Sequence, residues 1–373
     1  MKKLIAVVLA IMLAGCANTP PEEAAGQKQQ NFTTVCQYIS GEMTGAENGW
    51  YEIMRHTDGS ADILFTDIAT ATRTPASPQA KLDTPYGSTG GIFVSDGYVY
   101  YYHYGFPPGM NKTENPSCIY QYSADGSLIQ SAELEDIHFT LNSAVVSDGE
   151  KLYFAAGHNS KTCIYAVTAA GLDCEKIYET EGSFTIAGSY SGGLVLFVTK
   201  GRTRQMESLD LGTMERKTLF ETRYPWYMLD DSTLYCRQEE NGVLNIYDTK
   251  TNTANSIKLF DKDDCVNSWQ VQPAGRSGYI MIYTSQYDGN YEKSYVYDLA
   301  DDRLTEVPQL YGKIKSAYHN GKLWCIAPAQ QIRVYLNNRL TERVDWQYVI
   351  MPMEDYISTN YTATAVTNKI DYR

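Results

Sequence analysis

The sequence predicts an all-β fold, a β-propeller made of repeated four-stranded sheets, and three observations predict it. The stretch 148–179 reads as two hairpins in succession: Asp148-Gly149 turns into a strand at 151–155, 157–161 breaks the chain, 162–168 is the next strand, and Ala170-Gly171 turns it back into 172–178. Short β-branched and aromatic runs bounded by Gly, Asn and Asp are hairpin signals. The unit then recurs. Leu152-Tyr153-Phe154 matches Leu234-Tyr235-Cys236 and Leu323-Trp324-Cys325, and Val99-Tyr100-Tyr101 fits the same slot. Cys118-Ile119-Tyr120 matches Cys163-Ile164-Tyr165 in the following strand. Finally, the end of that third strand returns at 67, 123, 168, 210, 248, 298 and 335. The mean spacing, about 45 residues, lies in the roughly 40–50 range of four-stranded propeller blades. Seven blades are expected, and the uneven gaps leave six or eight as the tolerance. A lone four-stranded sheet has two faces and buries neither; stacking sheets in a ring covers both and leaves only short edges.

Taken in order, residues 1–15 form a targeting segment. Lys2 and Lys3 are its positive start, and 4–12 is an apolar run too short to span a bilayer as a helix. Leu13-Ala14-Gly15-Cys16 matches the bacterial lipobox, which implies cleavage before Cys16 and acylation of that residue. Two or three acyl chains anchor stably where one does not. Residues 16–31, with Pro20-Pro21, Glu22-Glu23 and a Gln run, read as a flexible tether. The β-propeller domain is expected over 32–373, beginning with a strand at 32–39. Its blades are expected at 32–77, 91–134, 143–179, 184–220, 225–260, 268–310 and 313–344, followed by a tail that caps the ring, pairs with the N-terminal strand or frays.

Composition excludes more than it names. The chain carries 44 acidic and 31 basic residues, a net charge of −13. Loss of Lys2 and Lys3 with the leader would make it more acidic still. Such a surface opposes binding to nucleic acid and to anionic lipid head groups. The 31 tyrosines suit half-buried strand faces. Seven of the 8 cysteines follow Cys16, an odd number. Cys236 and Cys325 take the place of Phe154 in the repeat and read as small core residues. Cys163 and Cys174 flank one hairpin and are the candidate disulfide. No Cys/His spacing suits a metal, so no metal site and no cofactor is expected.

No nucleophile elbow, P-loop or dinucleotide fingerprint occurs, and the five histidines are scattered. No catalytic residue is therefore assigned. Topology places the expected site on the face formed by the loops between blades and those joining second to third strands. That face is expected to gather Tyr104, Phe106 and Met110, then Arg202 and Arg204, then Tyr224 and Trp226, then Tyr287, with Asp261 and Asp263 nearby. Exposed aromatics and arginines on loops are the material of binding hot spots. The competing reading is that the aromatics cap blade cores.

The pattern from Leu152-Tyr153-Phe154 to Cys174-Glu175 resembles the YWTD-type propellers of the lipoprotein-receptor class and their bacterial relatives. Ile246-Tyr247-Asp248 and Tyr297-Asp298-Leu299 resemble quinoprotein-type repeats. Leader, tether and repeats lead to one expectation: a lipid-anchored extracytoplasmic propeller at the bacterial cell surface or in the periplasm. It would bind a protein or glycan of the envelope, touch the membrane through Cys16, and bind no nucleic acid. The alternative is an envelope carbohydrate-active enzyme, a hydrolase or lyase, with its site over the channel. That would need convergent carboxylates or a His/Tyr pair on the loop-rich face.

Overall fold

A computed structural model of the chain describes residues 31–37, 41–55, 60–76, 81–83, 90–105, 116–158, 161–223, 226–229, 233–238, 242–260, 268–273, 278–285, 291–307, 317–319, 321–336, 339–358 and 363–369. Chain order sets the architecture. A first strand, β1 (Thr33–Cys36), precedes sheet 1, which holds β2 (Met43–Ala46), β3 (Gly49–Arg55), β4 (Ser60–Asp67), β5 (Thr72–Pro75) and β6 (Lys81–Asp83). Sheet 2 is β7 (Gly90–Ser95), β8 (Tyr98–His103), β9 (Ser117–Tyr122) and β10 (Leu128–Leu134). Sheet 3 holds β11 (Val145–Ser147), β12 (Lys151–His158), β13 (Lys161–Thr168) and β14 (Cys174–Glu181). Sheet 4 is β15 (Ser183–Tyr190), β16 (Gly193–Lys200), β17 (Thr203–Asp210) and β18 (Arg216–Glu221).

Sheet 5 is β19 (Tyr227–Met228), β20 (Thr233–Gln238), β21 (Val243–Asp248) and β22 (Thr253–Lys258). Sheet 6 is β23 (Ser268–Pro273), β24 (Tyr279–Ser285), β25 (Tyr291–Asp298) and β26 (Arg303–Val307). Sheet 7 is β27 (Ala317–His319), β28 (Lys322–Leu336), β29 (Arg339–Pro352) and, after the short helix α1 (Met353–Ile357), β30 (Thr364–Ala365). The last strand, β31 (Thr367–Asn368), runs parallel to β5 at the outer edge of sheet 1.

The all-β propeller stands, and its blade count is corrected. Seven like four-stranded blades, give or take one, were expected; five sheets are four-stranded blades of that kind, and the other two are composites of five and six strands. The two chain ends and one internal strand make the difference. β1 adds to the inner edge of sheet 3, beside β11, while β31 and β6 enlarge sheet 1. The expected strand end at 335 is also displaced. β28 and β29 are 15 and 14 residues long, so Tyr335 lies near the tip of their hairpin, and the third strand of sheet 7 ends at Pro352.

Five of the strand-end positions do mark a common turn. The side chains of Asp67, Asp210, Asp248 and Asp298 accept backbone N–H groups two to three residues on. Four residues after each, and after Thr168, the chain takes positive φ, at Ala71, Leu172, Met214, Asn252 and Asp302. An Asx turn followed by one left-handed residue reverses a strand while matching its twist.

The core sits between the sheets. Phe93, Tyr100 and Tyr102 of sheet 2 meet Val145, Phe154 and Tyr165 of sheet 3. Val146 and Ile164 meet Ile186 and Leu196 between sheets 3 and 4. Trp50 and Ala71 meet Ile350, which joins sheet 7 back to sheet 1. A Cβ at Gly188 would lie 1.7 Å from Met228 Cγ, so glycine there lets sheets 4 and 5 approach closely.

β1 lies inside the ring. It runs antiparallel to β11 and also lies against β7 and β15, the inner strands of the flanking sheets. Phe32 packs on Tyr153 with ring centroids 5.9 Å apart. Ser189 N–H donates to Thr34 Oγ1 over 3.0 Å. Gln37 bridges two sheets: its Nε2 donates to Ala187 O (3.1 Å), and its Oε1 accepts from Met228 N–H (3.0 Å). The protein's own chain thus lines the inner edges of sheets 2, 3 and 4.

Candidate functional site

Strand alternation gives the propeller two faces. The near face carries the turns joining first to second and third to fourth strands. The far face carries those joining second to third strands, and the linkers between sheets. β1 pairs Thr33 with Ser147 beside a near-face turn and Cys36 with Val145 beside a far-face linker. The chain therefore enters the ring at Phe32 on the near face and emerges at Gln37 on the far face. The far face is the one to which the sequence assigns the expected site residues.

At the junction of sheets 2 and 3 this face carries a polar cluster. Ser117, at the start of β9, is fully buried, and its Oγ accepts from Gly105 N–H at 3.0 Å and lies 3.4 Å from the Tyr102 hydroxyl. The same Oγ is 2.9 Å from His138 Nδ1. Two donors already point into that oxygen, which leaves the serine proton for Nδ1 and puts the imidazole proton on Nε2. Burial holds the His138 imidazole below its ordinary range, against the opposing pull of Asp136. The half-buried Tyr104 ring stands 5.4 Å from the His138 ring. Beneath them, the Tyr102 hydroxyl accepts from Phe139 N–H at 2.9 Å, and burial pushes its phenol well above the usual range. The cluster thus presents the half-buried rings of His138 and Tyr104.

At sheet 4 the far face is cationic. Arg202 sits in the tight β16–β17 turn, Arg204 follows on β17, and Arg223 lies in the linker after β18; all three are exposed. Arg204 Nη1 donates to Arg223 O at 3.0 Å, and Thr222 N–H donates to Arg204 O at 3.0 Å. Glu207 lies on the same strand as Arg204 but is spoken for: Gln205, Lys200 and Arg216 all bond it. Burial works against its ionisation, yet these partners win and hold the carboxyl below its usual range.

The structure separates the expected site residues. Tyr104, Arg202 and Arg204 lie on the far face, although nothing brings Tyr104 and the arginines into one pocket. Trp226 is corrected: it is 7% exposed, stands edge-on to Phe220 at 4.8 Å, and its Nε1–H donates to Thr222 Oγ1 at 3.0 Å. It caps the seam between sheets 4 and 5, the alternative that the sequence left open. The candidate disulfide is corrected as well. The hairpin register sets Cys163 opposite Glu179 and Cys174 opposite Val167, and both thiols are free. Cys16, Phe106, Met110, Tyr224, Asp261, Asp263 and Tyr287 lie outside the described residues.

His138, Ser117 and Arg223 escape the sequence reading. Ser117 carries no signal, and Arg223 stands one residue before two aromatics that drew the attention. His138 was counted among scattered histidines, because only the return of the linker over β9 brings it to Ser117. Among the described residues, no group of three or more His, Cys, Asp or Glu side chains converges as a metal site would require.

No family model matches the chain, and no characterised protein matches it in sequence. Solved structures match its shape. An oligogalacturonate lyase from Vibrio parahaemolyticus superposes with a TM-score of 0.51 at 9% identity, over 80% of this chain and 88% of that one. TolB from Acinetobacter baumannii gives 0.41 at 14% identity, over 82% and 76%. The β-propeller domain of the Trilobed protease from Pyrococcus furiosus gives 0.41 at 15% identity, over 69% and 80%. At these identities the likeness extends to the fold alone.

Proposed function

We propose that the protein is a lipid-anchored extracytoplasmic propeller that binds an envelope glycan or protein on its far face. The observation that carries this reading is the position of β1. It runs inside the ring from the near face to the far face along sheets 2, 3 and 4, and we take the far face, with Tyr104, His138 and the arginines, as the presenting surface. The lipobox at Leu13-Ala14-Gly15-Cys16 supports the anchor.

A second reading, a carbohydrate-active hydrolase or lyase, is favoured by the Tyr104–His138 pair, a phenol beside a neutral imidazole. That pair is the kind of acid–base couple such chemistry uses. One set of experiments tests both. Cys16→Ser should move the protein from the membrane to the soluble fraction, and retention on the membrane would refute the anchor. The intact soluble form is then screened on a glycan array and by proximity labelling. A partner whose binding weakens on Tyr104→Ala, and is indifferent to changes in near-face turns, supports the binding reading. Release of shortened or unsaturated product from a bound glycan, lost in His138→Ala, would replace that reading with the enzymatic one.

A further inference from the structure

We infer that the far-face edge of sheet 4 is an anion site in which Arg202, Arg204 and Arg223 take the acidic groups of an oligosaccharide. This rests on the far-face binding reading and names the ligand class for one part of that face.

The arginines come from two chain segments that are fastened together. The β16–β17 turn is tight because Gly201 adopts φ +61°, and it places Arg202 and Arg204 at one end of the hairpin. The linker after β18 brings Arg223 alongside through two hydrogen bonds, Arg204 Nη1 to Arg223 O and Thr222 N–H to Arg204 O. That linker is itself held down. Trp226 anchors it by burial between Phe220 and Tyr247 and by its bond to Thr222 Oγ1. A site whose backbone is fixed beforehand loses less entropy when it binds.

Charge supplies the second argument. The chain as a whole is at −13, yet three cations gather here, and among the described residues none forms an ion pair with a carboxylate. Two buried or half-buried arginines are matched, Arg73 with buried Glu52 and Arg216 with buried Glu207. Glu207 is taken by Lys200, Gln205 and Arg216. Glu221 lies opposite Gln205 in the register and ion-pairs with none of the three. A cationic edge fixed without a carboxylate partner gains when an anion arrives. Each guanidinium presents a planar fork that fits a carboxylate or sulfate. Arg204 spends one N–H on Arg223 O and keeps the rest of its fork.

The surrounding acidity selects among anions. A nucleic acid or an anionic membrane carries dense charge well beyond the patch and is repelled by the rest of the surface. An oligosaccharide with about one acidic group per sugar meets the arginines and presents mostly neutral hydroxyls elsewhere.

The test uses the whole chain and calorimetric titration with three probes of equal length: an oligouronate, a sulfated oligosaccharide and a neutral one. One or both acidic probes should bind, the neutral one at least about tenfold more weakly, and added salt should erode the difference. Arg204→Ala with Arg223→Ala should remove the preference for acid. Arg204→Lys with Arg223→Lys should restore part of it, because charge returns without the fork. Lys217→Ala, a cation on the neighbouring strand, should change nothing. Equal binding of acidic and neutral probes, or a double alanine variant within about threefold of the parent, overturns the inference and leaves the far-face reading standing. Failure of both acidic probes overturns it too, and the far-face reading then depends on the partner screen alone.

Discussion

Trp226 shows how a single side chain changes meaning between sequence and fold. In the sequence it is an aromatic on a linker, beside an arginine; in the fold it fills the seam between sheets 4 and 5 with Met206, Met228 and Tyr247. Trp226→Ala should therefore cost about 3–5 kcal/mol of stability, as large core truncations do, and lower the urea midpoint without changing the slope. A variant that melts like the parent and loses only ligand binding would return Trp226 to the surface role. The strand-end aspartates were legible because an Asx turn needs that side chain. The left-handed residue four positions later was not, because Ala71, Leu172 and Met214 fill a conformation that glycine or asparagine usually signals. Ser117 and His138 were illegible for another reason: they are 21 residues apart, and only the folded linker makes them neighbours.

At the scale of elements, hairpins and their order were legible because period-two runs and turn residues are local signals. The repeat predicted third strands in sheets 1 to 6, where a marked position falls at or next to the observed strand end. It failed in sheet 7, where β28 and β29 run to about twice the length of their counterparts and carry the expected strand end into a hairpin tip. It failed again for β1. A strand of four residues, Thr33–Cys36, contains nothing that says which sheet it joins; that choice is made by Val145 and Val146 in β11 and by the polar clamp of Thr34 and Gln37. Non-local pairing of this kind is set by the assembled ring, so a reading of local pattern does not reach it.

At the scale of the molecule, closure depends on the seam between sheets 7 and 1. Arg73 on β5 is buried, forms an ion pair with buried Glu52 on β3, bonds Asn368 Oδ1 on β31 at 3.4 Å and lies 4.5 Å over the Tyr348 ring of β29. One guanidinium thus ties sheet 1, sheet 7 and the C-terminal strand. Thr367 and Lys369 N–H groups add bonds to Ala71 O and Arg73 O. Arg73→Ala leaves a buried carboxylate without its cation, which should cost about 3–5 kcal/mol and expose the C-terminal strand to proteolysis before the rest unfolds. Pairing Arg73→Met with Glu52→Gln removes the stranded charge and should recover much of that loss. Equal damage from the single and double variants would show that the seam is held by shape alone.

The far-face account depends on β1 being held inside the ring, and hydrogen exchange on the intact protein tests this most directly. Amides of 33–37, with those of Ser189 and Met228 that donate to Thr34 and Gln37, should exchange as slowly as the inner strands β11 and β15, and far more slowly than an unstructured peptide of the same sequence. Exchange of 33–37 at the rate of an unstructured peptide would mean that β1 is not held inside the ring, and the site would have to be sought there.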